Sequence, residues 1–158
     1  MVLSGRLVPL LAAAVVVAAC GPAPPPRRPP DNSLTVALES APIHLDPRVA
    51  TDQASSRVFE LMLDGLVTKD ESGNFVPALA ESWEALDGGA RWRFHLRPDV
   101  HFHDGSAFAA DDVVWTFQSL LDGTVTSSKR GAFSYLQRVA AIDPATVDFL
   151  LTEPYGAL

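Results

Sequence analysis

The 158-residue chain is acidic, and its charge is unevenly distributed. Nine of its 12 Lys and Arg residues and all 19 Asp and Glu residues lie from Asp31 onward, which gives that part a net charge of −10 (nine minus 19). Such a domain is a poor partner for nucleic acid, because phosphates require clustered cations. The single cysteine, Cys20, excludes an intramolecular disulfide scaffold.

The first 19 residues have the features of a secretory signal peptide. A positive charge at Arg6 precedes an apolar run over residues 7–17, and small residues come just before Cys20. The apolar run is too short for a membrane-spanning helix, which needs about 20 residues. The sequence V-A-A-C resembles a bacterial lipobox, which predicts cleavage before Cys20 and a lipid on its thiol. The alternative is a plain signal peptide with an incidental cysteine.

The next segment, residues 20–32, is predicted to be a tether that begins with the lipidated Cys20. It contains six prolines, which favour an extended conformation and cannot build a core. The composition changes at Ser33, so the folded domain is expected to span residues 33–158.

The domain is predicted to begin with a strand, a loop and a helix. Apolar and polar residues alternate over residues 33–39, which indicates a strand. Residues 40–48 contain two prolines and form a loop. Residues 52–66 carry apolar side chains at three- and four-residue intervals, which predicts a helix that starts near Asp52.

The central stretch, residues 77–113, contains the strongest hairpin pattern. Residues 82–86 are predicted to be one strand, and Asp87-Gly88-Gly89 favours a turn with positive φ angles. In the return strand, apolar Trp92, Phe94 and Leu96 alternate with Arg91, Arg93 and His95. This period of two predicts that the aromatic side chains face inward and that the cations face water.

The remaining elements follow a similar logic. Residues 113–121 carry an apolar stripe that predicts a helix, with Asp111 and Asp112 at its start, where carboxylates suit the helix dipole. Residues 132–137 are expected to form a short helix. A final hairpin is predicted from residues 139–142 and 146–151, joined by a turn at Asp143-Pro144-Ala145.

Four motifs in register, P-A-L-A-E-S-W, W-R-F-H-L-R, V-H-F-H-D-G and A-A-D-D-V, resemble the signature region of the family 5 extracellular solute-binding proteins. These are the dipeptide-, oligopeptide- and nickel-binding components of bacterial ABC importers. The resemblance implies an α/β fold of the type II periplasmic-binding-protein class, a two-lobed clamp. Residues 33–158 would form the first part of lobe I, including a hairpin-rich subdomain. One departure is Ala109, where the family usually has Thr or Ser, and a lost helix cap costs about 1 kcal/mol.

The resemblance also implies where a ligand would bind. In the family, the loop after the first strand ends in L-D-P, present here as residues 45–47, and runs along the ligand cleft. A second loop, residues 124–130, would also approach the cleft. The loop residues expected to contact the ligand are Glu39, Ser40, Ala41, Pro42 and Ile43. The alternative is a plain connection that contains two prolines and has no ligand role.

The function implied is that of a substrate-binding lipoprotein of an ABC importer, which captures peptides or similar small solutes. It would be no enzyme and need no cofactor or metal. Its partners would be the solute, the ABC permease and ATPase, and the membrane through its lipid, with no nucleic acid. The protein would lie in the periplasm or at the cell surface.

Two alternatives compete with this interpretation. One is a truncated, non-binding structural or interaction lipoprotein, because family members run to several hundred residues and this chain ends at Leu158. Under the leading interpretation too, residues 31–158 alone are expected to bind no peptide, although a longer full-length chain would. A metal-dependent hydrolase could use His101, His103 and Asp104. The histidine spacing matches no zinc protease pattern, and the F-H-D-G run fits a structural turn of the family instead.

Overall fold

The computed structural model describes residues 32–33 and 35–156. Of these, residues 32–33 and 35–37 belong to a first unit and residues 38–156 to a second. The predicted signal peptide, Cys20 and nearly all of the predicted tether lie outside the described residues. Among the described residues, no helix is both long enough and apolar enough to cross a membrane.

The strand predicted for residues 33–39 is wrong, because residues 35–39 belong to no strand. An alternating pattern identifies one apolar face, but it does not supply the neighbouring strand that satisfies the backbone hydrogen bonds.

The described part of the second unit contains two α-helices, six strands and two short 3₁₀ segments. The 3₁₀ segments are Asp87–Gly89 and Ser128–Phe133. In chain order, the helices and strands are α1 (Gln53–Met62), β1 (Val67–Lys69), β2 (Phe75–Pro77), β3 (Ala80–Leu86), β4 (Arg91–Leu96), α2 (Ala110–Leu121), β5 (Leu136–Asp143) and β6 (Thr146–Leu151).

Helix α1 begins as predicted and ends earlier. Asp52 is its N-cap, since the side chain accepts a hydrogen bond from the Ser55 amide at 2.9 Å. The backbone becomes extended at Leu63, before the predicted end at residue 66. The chain leaves the helix to join the strands, because the carbonyls of Gly65 and Leu66 accept hydrogen bonds from residues 78–80.

The four-stranded sheet has the order β3-β4-β6-β5, and every neighbouring pair is antiparallel. The predicted hairpins β3-β4 and β5-β6 are both present. The first turn uses Gly88 and Gly89 at φ angles of 68° and 93°, where a side chain would be strained. Strands β1 and β2 form a separate two-stranded hairpin.

Helix α2 packs over one face of this sheet and closes the core. Phe94 and Leu96 of β4 are buried there, and Trp92 packs against the same cluster, so the predicted inward face is confirmed. Phe117 of α2 contacts Phe149 of β6 edge to face, with ring centroids 4.9 Å apart.

The opposite face of β4 differs from the prediction. Arg91 and Arg93 do not simply face water, because both contact Asp148 on β6, which is only 2% exposed. In the sheet register, Arg93 lies opposite Asp148. The alternation within one strand cannot reveal this acid, since it lies 55 residues further along the chain.

Helix α2 starts without a side-chain cap at Ala109, as the sequence indicated. Asp112 supplies part of the lost cap, because its Oδ2 accepts a hydrogen bond from the Ala109 amide at 2.9 Å. The helix itself begins at Ala110, slightly before the predicted start.

The short helix predicted for residues 132–137 is wrong. A 3₁₀ segment occupies Ser128–Phe133 instead, and β5 already begins at Leu136. Leu136 pairs with Leu151 of β6, so the sheet takes residues that the local pattern assigned to a helix.

Candidate functional site

The loop of residues 39–43 is exposed and is tied down at its first residue. Glu39 forms an ion pair with Arg57 of α1 at 2.9 Å, but its side chain remains 77% exposed. Ser40 and Ala41 are exposed, Pro42 is half-buried and Ile43 is 71% exposed. These five predicted residues therefore lie on one segment, and four of them are exposed.

The segment after this loop, residues 44–50, is attached more firmly. The amide of His44 donates to Ser55 Oγ at 3.3 Å. The amides of Val49 and Ala50 both donate to the Asp46 carbonyl, at 3.1 and 3.0 Å, and Ala50 is buried. The chain thus turns at the predicted L-D-P sequence and enters the body of the unit.

Arg48 is the centre of the contacts around this turn. Its Nη2 lies 2.7 Å from Asp46 Oδ2, and its Nε lies 3.0 Å from Asp46 Oδ1. Its Nη1 donates to Ser119 Oγ of α2 at 2.9 Å, and its guanidinium lies over the ring of Trp115, 4.6 Å from the centroid. The hydrogen bonds from Arg48 hold the pKa of Asp46 below its ordinary value, and those to Asp46 raise the pKa of Arg48.

The second loop, residues 124–130, contacts the same turn. Ser127 Oγ donates to the Arg48 carbonyl, and Lys129 Nζ donates to the Pro47 carbonyl at 2.6 Å. The structure therefore joins two loops that the sequence treated separately. Sequence reasoning did not single out Arg48, Ser127 or Lys129, since their partners lie about 80 residues away and no local pattern marks them.

The three residues of the metal hypothesis lie in and around a tight turn. Asp104 Oδ1 accepts hydrogen bonds from the amide and hydroxyl of Ser106, at 2.9 and 2.7 Å. These bonds lower the pKa of Asp104. The backbone of His101 pairs with that of Ala107 in an isolated antiparallel β-bridge. Within residues 32–33 and 35–156, no three His, Cys, Asp or Glu side chains come close enough together to hold a metal ion.

An apolar cavity of about 700 Å³ opens between the two helices and the sheet. Its wall includes core side chains such as Phe94, Phe117 and Phe149, and Pro47 reaches its rim. None of residues 39–43 lines it. The cavity and the exposed loop are therefore different surfaces of the second unit.

A model of the family described as bacterial extracellular solute-binding proteins, family 5 Middle, matches residues 74–158. The match takes in β2 to β6 and α2, which is more than half of the chain. The chain belongs to the family 5 extracellular solute-binding proteins.

Individual periplasmic binding and transport proteins are also similar to this chain in sequence. The probable deoxycholate-binding periplasmic protein YgiS of Escherichia coli is 35% identical over 111 residues, 69% of this chain and 21% of that protein. The peptide transport periplasmic protein SapA of Salmonella typhimurium is 38% identical over 120 residues, 65% of this chain and 21% of that protein. The chain thus spans about a fifth of the length of the curated relatives that it matches.

A solved structure shows the same fold. The oligopeptide-binding protein AppA of Bacillus subtilis, in complex with a nonapeptide, matches with a TM-score of 0.64 at 31% identity, covering 66% of this chain and 21% of that one. The predicted α/β fold of the type II periplasmic-binding-protein class is confirmed, and the chain covers part of it.

Proposed function

We propose that this protein is the substrate-binding component of a bacterial ABC importer and that it captures peptides or similar small solutes. The observation that carries the proposal is the family match over residues 74–158. It is supported by SapA, a peptide transport protein, and by AppA, which was solved with a nonapeptide. The permease and ATPase of the importer would be its partners, and the ATPase would supply the energy.

Within this function, residues 39–43 contact the ligand. Their exposure supports this role, because a residue that binds a solute must be accessible before the solute arrives. Ile43 offers an exposed apolar contact, and the exposed residues Ser40 and Ala41 carry backbone amide and carbonyl groups that a peptide can pair with.

The location that goes with this function is outside the inner membrane. YgiS and SapA are both periplasmic proteins. A lipid on Cys20 would hold the protein at a membrane, and residues 21–32 would act as a spacer that lets the domain reach its permease.

Calorimetry with a mixed library of short peptides tests the proposal. The sample is the mature protein isolated from its native cells, so that its whole length is present. We expect saturable binding, and Ile43→Ser to weaken it about tenfold, which corresponds to about 1.4 kcal/mol.

The matched control is Ile142→Ser, which removes an exposed isoleucine, 53% accessible, from the end of β5. It should leave the affinity unchanged. Absence of saturable binding to every peptide would contradict the proposed function. Equal losses at Ile43 and Ile142 would contradict the assignment of the loop.

A further inference from the structure

We propose that Arg48 is a positioning residue that joins the loop of residues 39–48 to the loop of residues 124–130, so that the two act on a ligand as one surface. This inference rests on the proposed function, since it concerns the loop that would contact the solute. The positioning itself follows from contacts that can be tested without any ligand.

The guanidinium of Arg48 is engaged within the protein through each of its nitrogens. Two of them bind Asp46, the third binds Ser119 Oγ, and the face of the group covers Trp115. The side chain is only 17% exposed. A planar group held at three sites in this way has a fixed orientation, so Arg48 acts by fixing the backbone around it.

Ser119 connects this guanidinium with the second loop. Its side chain is buried, at 4% exposure, and its hydroxyl accepts from Arg48 and donates to the Thr116 carbonyl at 2.7 Å. Its own carbonyl accepts a hydrogen bond from the amide of Val125 at 2.9 Å. The start of the second loop is therefore bonded to the residue that receives Arg48.

The middle of the second loop binds the backbone carbonyls of Arg48 and of the residue before it, Pro47. Ser127 Oγ donates to the Arg48 carbonyl and also accepts from the Lys129 amide at 3.0 Å, while Lys129 Nζ donates to the Pro47 carbonyl. If Arg48 loses its contacts, these carbonyls lose their fixed place. The second loop then loses fixed partners at two of its residues, Ser127 and Lys129, although neither of them touches the guanidinium directly.

Amide hydrogen exchange measures this coupling directly. In Arg48→Ala, we expect the amides of Val125 and Lys129 to exchange at least tenfold faster than in the wild type, while the melting temperature of the protein changes little. Arg48→Lys should give an intermediate effect, because an ammonium keeps the charge beside Asp46 but cannot also reach Ser119. Arg57→Ala is the matched control, since it breaks the other ion pair of the first loop, at Glu39, and should leave both amides unchanged.

A milder variant covers the case in which Arg48→Ala does not fold. Ser127→Ala keeps the guanidinium contacts and removes the bond to the Arg48 carbonyl, so the amides of Val49 and Ala50, which directly follow the first loop and donate to the Asp46 carbonyl, should exchange faster. Unchanged exchange at the opposite loop in Arg48→Ala, or in Ser127→Ala where Arg48→Ala does not fold, would overturn the positioning role.

A peptide-binding measurement on the same variants separates this inference from the proposed function. With the peptide that binds the wild type most tightly, Arg48→Ala should weaken binding about tenfold, and Arg57→Ala should weaken it less. Faster exchange with unchanged peptide affinity would overturn the link between positioning and binding. Faster exchange in a protein that binds no peptide at all would support the coupling of the loops and contradict the proposed function.

Discussion

Arg93 holds the buried carboxylate of Asp148 at two points. Its Nε lies 2.7 Å from Oδ1 and its Nη2 lies 2.8 Å from Oδ2, which is the parallel geometry that suits a guanidinium and a carboxylate. Arg91 adds a longer contact of 3.3 Å. The sheet thus carries a charged cluster on the face opposite its apolar core.

The first prediction follows from the burial of Asp148. Arg93→Ala leaves this carboxylate with only the longer contact to Arg91, and a buried charge that loses its partner destabilises the fold. We expect a clearly lower melting temperature than for Arg138→Ala, which removes an exposed arginine from β5. The double variant Arg93→Ala/Asp148→Ala should recover part of the loss. Equal melting temperatures for the two single variants would contradict the role of the cluster.

The pH dependence of stability gives a second prediction. Hydrogen bonds from Arg93, aided by the charge of Arg93 and by Arg91, hold the pKa of Asp148 below its ordinary value despite the opposing effect of burial. The ionised group therefore contributes stability above the unfolded pKa, near 4, and loses it as the pH falls through the lower folded pKa. Asp148→Asn should be less stable than the wild type at pH 7, and the difference should narrow below about pH 4. Urea denaturation across this range measures it, and a constant difference would be inconsistent with the shift.

A third prediction concerns the apolar core. Phe94 is 6% exposed and contacts Phe149 edge to face and Trp83 in a stacked arrangement. Phe94→Ala should lower the free energy of unfolding by about 3–5 kcal/mol, because it removes a buried ring together with its contacts to Trp83 and Phe149. Phe75→Ala removes the same side chain from an exposed site, 57% accessible, and should cost under about 1 kcal/mol. Similar losses in chemical denaturation would show that Phe94 is not a core residue.

The hairpins were predictable because their signals are local. The alternation of β4 and the Asp87-Gly88-Gly89 turn lie within a few residues of each other, and each has one physical cause. The prediction of a first strand was wrong because strand formation depends on a distant partner. Residues 35–39 have a strand-like pattern but belong to no strand. Pairing depends on what another segment offers, and periodicity contains no information about that.

The candidate site likewise contains residues that the sequence could locate and residues that only the fold brings together. Residues 39–43 were located through a family resemblance, and the structure places them on an exposed loop. The contacts of Arg48 with Ser119 and Ser127 join residues 71 and 79 positions apart. Serine and arginine at such distances give no pattern that distinguishes this cluster from ordinary surface residues, so only the fold reveals it.

The start of α2 offers a stabilising change. Ala109 occupies the N-cap position without a side chain that can accept a hydrogen bond, while Asp112 accepts from its amide. Ala109→Ser should complete a capping box and raise the free energy of unfolding by about 1 kcal/mol. Ala132→Ser, at an exposed position outside α1 and α2, is the control. If urea denaturation gives no gain, or if Asp112→Ala costs nothing when it is combined with Ala109→Ser, the cap does not form.

The last prediction concerns Cys20 and rests on the sequence alone. The V-A-A-C motif predicts cleavage before this residue and a lipid on its thiol, and no other cysteine exists to carry one. One acyl chain gives only weak and reversible membrane binding, so stable anchoring requires more than one chain at this terminus. Cys20→Ser should therefore move the protein from the detergent phase to the aqueous phase in a partition experiment, and mass spectrometry of the wild type should show a lipidated N-terminal cysteine. Ser4→Ala, inside the segment that cleavage removes, is the matched control and should leave the partition unchanged. If the Cys20→Ser protein enters the detergent phase as fully as the wild type, the cysteine is incidental and residues 21–32 do not tether the domain to a lipid.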